Sequence, residues 1–128
     1  MKRLLLASCV LVASCSMLPP MFDNVAYDNF VGIHETIAFT QTYCGTPQIK
    51  PSLIELQRKT QHLNTYVQNT REDIAIQTAM VTVYDQTEEL MKAYLAPIPP
   101  STAYCQTKLG FMLEEVGNLM SSTGDRRR

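Results

Sequence analysis

From residue 23 onward, apolar or small side chains recur at alternating steps of four and three, and this spacing constrains the fold more than any other feature of the chain. Ala26, Phe30, Ile33, Ile37, Thr40 and Cys44 follow it in one run, which places them on one face of a helix. Gly45 then suits a helix C-cap, and Pro47 and Pro51 oppose continuation. Leu53, Leu56, Thr60, Leu63 and Val67 repeat the spacing after Pro51 and Ser52, so a second amphipathic helix is predicted to run to about Gln68. Thr70, with Asp73 three residues on, resembles a capping box opening a third helix with Ile76, Met80, Val83, Leu90 and Tyr94 on its inner face. Ile74 to Tyr84 is rich in β-branched residues and would also suit a strand, but the continuation Glu88-Glu89-Leu90-Met91-Lys92 favours helix. Pro97, Pro99 and Pro100 break the chain, and Ser101 is placed to cap a fourth helix bearing Cys105, Leu109, Met112, Val116 and Leu119, with order ending at Gly124.

The N-terminus has a different character. Lys2 and Arg3 precede an apolar run from Leu4 to Ala13, and Val12-Ala13-Ser14-Cys15 closes it with small residues before a cysteine. That is the pattern of a bacterial lipoprotein signal. A membrane-spanning helix needs about 20 apolar residues, and this run is interrupted by Ser14, Ser16 and the Pro19-Pro20 pair before that length. Residues 1–14 are therefore expected to be cleaved, leaving Cys15 with a diacylglycerol on its thiol and an acyl chain on its amino group. Cys9 follows a similar tripeptide but leaves only Leu4 to Ser8 as the apolar run, so Cys15 is preferred. Ser16, in place of the Asp typical of inner-membrane retention, points to the periplasmic face of an outer membrane. Residues 15–22 read as a lipidated tether stiffened by Pro19-Pro20, residues 23–122 as one helical domain, and residues 123–128 as a basic tail. The arginines of that tail would face the bilayer or fray in solvent.

With Cys9 lost and Cys15 lipidated, Cys44 and Cys105 form an even pair in an oxidising compartment and are expected to be disulfide-bonded; two separate buried thiols are the alternative. Closing a loop of this size removes roughly 4 kcal/mol of unfolded-chain entropy. The pairing also tests the topology. Cys44 closes the first helix and Cys105 lies in the first turn of the fourth, two ends that meet in an up-down-up-down four-helix bundle. Were residues 52–95 one unbroken helix, its length of about 65 Å at 1.5 Å per residue would oppose the bridge. A hairpin near Asn69 is required. The fold class expected is all-α.

Catalytic signatures are missing. The sequence has no nucleophile elbow, no phosphate-cradling glycine loop and no histidine-metal motif. His34 and His62 stand apart, and Asp85, Glu88, Glu89, Glu114 and Glu115 read as solvated helix faces. No enzymatic activity, metal or small-molecule substrate is expected, and no cofactor beyond the lipid on Cys15. Without Lys2 and Arg3 the mature chain carries nine basic against twelve acidic residues, a net charge of −3 that offers no surface to nucleic acid. What remains is soft apolar surface in methionine and tyrosine, which suits helix-in-groove recognition of a protein partner. Helical position nominates Phe30, Ile33, Ile37, Met80, Tyr84, Met91, Tyr94 and Met112 as candidate partner-binding residues. In a chain without Trp, the same side chains also serve to fill a core.

The lipobox, short tether, four-helix body and paired cysteines together resemble the pilotins of the type II secretion system. The closest local likenesses are Tyr43-Cys44 followed by a proline-containing turn to Pro51, and Leu90 to Leu95 followed by Pro99-Pro100 and Tyr104-Cys105. The resemblance runs from about Phe30 to Leu119, and residue by residue it carries over only at Cys15, Cys44 and Cys105. It implies a lipoprotein that binds a disordered C-terminal segment of a secretin subunit as an amphipathic helix and directs it to the outer membrane. A second class of function fits the same size and anchor: a surface-blocking or exclusion lipoprotein of phage or plasmid origin. A purely structural envelope lipoprotein is a third.

Overall fold

The computed structural model describes residues 23–70 and 72–125. They form four helices, α1 (Asn24–Thr42), α2 (Ile49–Gln68), α3 (Ile74–Leu95) and α4 (Thr102–Asp125), in an up-down-up-down bundle. Each helix packs against its two neighbours around the ring, α1 on α2 and α4, α3 on α2 and α4. The helical alternative for residues 74–84 is the one realised, within α3. The lipobox, the tether and Arg126-Arg127-Arg128 lie outside the described residues.

Local chemistry sets the helix ends. Asp23 caps α1, its Oδ1 accepting from the backbone N–H of Val25 at 2.9 Å and of Ala26 at 3.2 Å. Asp73 itself is the N-cap of α3, taking the Ala75 N–H at 2.9 Å, while Thr70 stays in the α2–α3 turn and donates to the Val67 carbonyl. The expected Thr70–Asp73 box is therefore replaced by a single Asp cap. Ser101 Oγ accepts the Tyr104 N–H at 3.1 Å and opens α4 as expected. α2 starts at Ile49, two residues before Pro51 and earlier than the sequence suggests. A proline is tolerated there because the first N–H groups of a helix have no intrahelical partner to lose. α4 runs one residue past Gly124.

The core follows the four-three spacing on all four helices. Counted from the disulfide end, the register stacks six layers: Cys44, Ile49, Tyr94 and Cys105; then Thr40, Leu53, Leu90 and Leu109; then Ile37, Leu56, Thr87 and Met112; then Ile33, Thr60, Val83 and Val116; then Phe30, Leu63, Met80 and Leu119; and finally Ala26, Val67, Ile76 and Thr123. Every buried residue among those described belongs to one of these layers, and every layer position is buried. This is heptad packing of the coiled-coil kind, extended over about 27 Å at 1.5 Å per residue. Hydrogen bonds between neighbours hold the register: Gln41 Nε2 to the Gln106 carbonyl (3.0 Å), Lys59 Nζ to Thr36 Oγ1 (2.9 Å) and Gln68 Nε2 to the Gln77 carbonyl (2.9 Å).

One threonine per helix enters the core, and each hydroxyl is satisfied within its own helix. Thr40, Thr87 and Thr123 donate to the carbonyl four residues back, at 2.7, 2.9 and 2.7 Å, and Thr60 donates to the Gln57 carbonyl at 3.0 Å. Back-bonding removes the cost of an unpaired buried donor while leaving the methyl group to pack.

Candidate functional site

The helix pairs do not pack alike, and the difference creates the candidate site. On α4, Gly110, Gly117 and Gly124 recur every seven residues and present bare backbone to α1. The nearest side-chain atoms to a β-carbon at those positions would be Gln41 Nε2 at 3.4 Å, His34 Nε2 at 3.9 Å and a ring carbon of Tyr27 at 3.5 Å. Tyr27, His34 and Gln41 have the same seven-residue spacing, so one helix lays side chains over the other's glycines and the seam closes. His34 is thereby a packing residue of this seam. The seven-residue spacing of these glycines stands in the sequence itself.

Between α1 and α2 the outer seam stays open. Gly32 lies on α1 with nothing within 4 Å of where its β-carbon would stand. Two adjoining depressions of roughly 520 and 510 Å³ meet at Gly32 and Lys59. The lower one is lined by Asn29, Ile33, Arg58 and His62, and the upper by Phe39, Tyr43, Pro51 and Glu55 among others. On α1 the lining residue Phe39, seven residues after Gly32, is 67% exposed, and Val25, seven residues before Gly32 and outside the lining, is 53% exposed. Lys59 crosses the trough, donating to Thr36 Oγ1 and pairing with Glu55 at 3.2 Å. Toward the N-terminus of α1, the Tyr66 hydroxyl donates to Asp23 Oδ2 at 2.7 Å; that hydrogen bond holds the Tyr66 pKa above its ordinary value.

Six of the eight sequence-nominated partner residues are interior. Phe30, Ile33, Ile37, Met80, Tyr94 and Met112 occupy core layers, buried because they sit on the four-three stripe that the bundle must close over. They are corrected from surface to core, and burial raises the Tyr94 pKa. Tyr84 and Met91 are half-buried on the side of α3 facing α2, where Gln57 donates to Glu88 and Ile54 is 58% exposed one turn beyond. That side carries further exposed apolar residues, Ile74, Val81 and Leu95. The trough residues Gly32, Phe39 and Arg58, and the exposed Val25 below them, were missed by the sequence reading. Their signal was the pair Val25 and Phe39, apolar residues off the core stripe.

The other end of the bundle is closed covalently. Cys44, in the turn after α1, and Cys105, in the first turn of α4, form a disulfide with Cα atoms 5.8 Å apart. Among the described residues no group of His, Cys, Asp and Glu is arranged to hold a metal ion, and no helix is long and apolar enough to cross a membrane.

No family model, curated protein or solved structure matches the chain.

Proposed function

We propose that this protein is a pilotin-like lipoprotein, anchored by a lipid on Cys15 to the periplasmic face of the outer membrane. It takes up the C-terminal segment of a secretin subunit as a helix and carries it to that membrane. The observation that carries the reading is the open trough between α1 and α2, where two depressions meet over the uncovered backbone of Gly32 beside the exposed Phe39 ring. The α1–α4 seam, by contrast, is filled by side chains laid over the glycines of α4. The Cys44–Cys105 bridge suits an oxidising compartment, and Asp23, eight residues after Cys15, stands at the end away from it, so the trough would open between membrane and disulfide. Action is by binding and location, with no bond made or broken.

Replacing the anchor separates the two halves of this proposal. In Cys15→Ser cells, gradient fractionation of the envelope should show the secretin still co-purifying with the chain but displaced from outer-membrane fractions. Unchanged secretin localisation would reject the proposal. Recovery of a receptor or conjugation component in place of a secretin would favour a surface-blocking lipoprotein.

A further inference from the structure

The trough is asymmetric in charge, and the asymmetry specifies what lies in it. Its lower half, toward Asp23, is lined by Arg58 and His62, both exposed, with Lys59 at the midpoint. Among the described residues the ion pairs are Lys59–Glu55 and Lys108–Glu89, which leaves Arg58 facing the trough without a carboxylate partner. Its upper half, toward the disulfide, is lined by Glu35 and the Phe39 ring, with Glu55 paired to Lys59. On the α1 side the lining runs from Asn29 to Tyr43, fourteen residues apart, about 21 Å or four helical turns at 1.5 Å per residue.

We infer that the trough binds a four-turn amphipathic helix of one polarity: its C-terminal half is acidic and lies on Arg58 and His62, its N-terminal half is basic or uncharged and lies by Glu35, and a bulky apolar side chain seats on Gly32. The helix macrodipole adds to the same choice, because the partial negative charge of a helix C-terminus is favoured beside cations and the positive N-terminus beside carboxylates. The bound segment thus runs antiparallel to α1 and ends toward Asp23. A seat at Gly32 is available because the backbone there is uncovered, unlike Gly110, Gly117 and Gly124. This inference rests on the reading that the chain takes up a helical segment, and adds which segment and which way round.

Two labelled peptides of equal composition test it. Both are 18-residue lactam-stapled helices with one leucine edge; one has Glu in its C-terminal half and Lys in its N-terminal half, and the other has the charges exchanged. Fluorescence anisotropy with the purified full chain should show the first binding at least tenfold more tightly than the second. Arg58→Glu combined with His62→Glu should reverse the preference. Gly32→Leu, whose β-carbon meets no atom within 4 Å, should keep the circular-dichroism melt of the parent while weakening the first peptide at least tenfold. Equal affinity for both peptides, unaltered binding by a folded Gly32→Leu chain, or a sedimentation result in which the trough is covered by a second copy would each overturn the inference. Cross-linking of the Gly32→Leu chain in cells distinguishes this failure from failure of the functional reading. A secretin still captured by it keeps the function and removes the trough, whereas peptide selectivity without any secretin captured by the parent keeps the trough and removes the function.

Discussion

At the scale of single residues, glycines with unlike surroundings divide the work. Gly45 turns the chain after α1 with φ 81°, and a β-carbon there would stand 2.5 Å from Thr102 Oγ1. Gly45→Ala therefore meets both a disfavoured backbone and a clash, and should lower stability in urea melts by about 2 kcal/mol. Gly117→Ala should do the opposite. Its β-carbon finds His34 Nε2 at an ordinary 3.9 Å, so the helix-propensity gain of up to about 1 kcal/mol is realised. Tyr66 supplies a pH signature. Its pKa is raised in the fold, chiefly by the hydrogen bond to Asp23, so its contribution is fully present below the ordinary value of 10.0 and is lost as pH climbs past that value toward the folded one. Tyr66→Phe should cost about 1 kcal/mol at neutral pH, and the gap between parent and variant melts should narrow above that pH. A gap that widened instead would assign the hydrogen bond to some other partner.

Among the elements, the four helices were legible because each keeps the four-three spacing over about five turns, and the prolines and glycines between them leave little room for other boundaries. Cys44 and Cys105 narrowed the topology further, since the bridge demands a hairpin between the second and third helices. What escaped has a common physical origin: periodicity shows which face is inward but not how closely two inward faces approach. The buried Thr87 and Thr123 complete core layers, yet as polar residues they did not register among the apolar positions; Thr40 and Thr60 did, by spacing alone. For the same reason the eight nominated partner residues fell mostly on the core stripe, while the open seam beside Gly32 depends on a missing side chain. The threonines themselves can be tested. Thr87→Val removes a hydroxyl bonded only to its own helix, and should leave the melt unchanged or raise stability by up to about 1 kcal/mol. A loss of 2 kcal/mol or more would mean that the hydroxyl has a second role.

For the whole molecule, two ends and one open seam define the account. The disulfide joins the turn after α1 to the start of α4 across 61 residues. Its removal in a Cys44→Ser, Cys105→Ser chain should cost roughly 4 kcal/mol by the loop-entropy estimate, read as a lowered urea midpoint at unchanged helix content. At the other end, Asp23 and Asp125 bring the two termini of the described bundle together, so an anchor on Cys15 would leave the disulfide end and the Phe39 rim directed away from the bilayer. The central claim is that the domain exists to hold a helical segment of another protein. The most direct measurement is a pull-down with the full chain from an envelope extract under oxidising conditions, with bound proteins identified by mass spectrometry and the contact mapped by cross-linking from position 39. The account predicts a secretin subunit, cross-linked through its C-terminal segment. Recovery of a channel or receptor with no secretin, or of no protein at all, would contradict it.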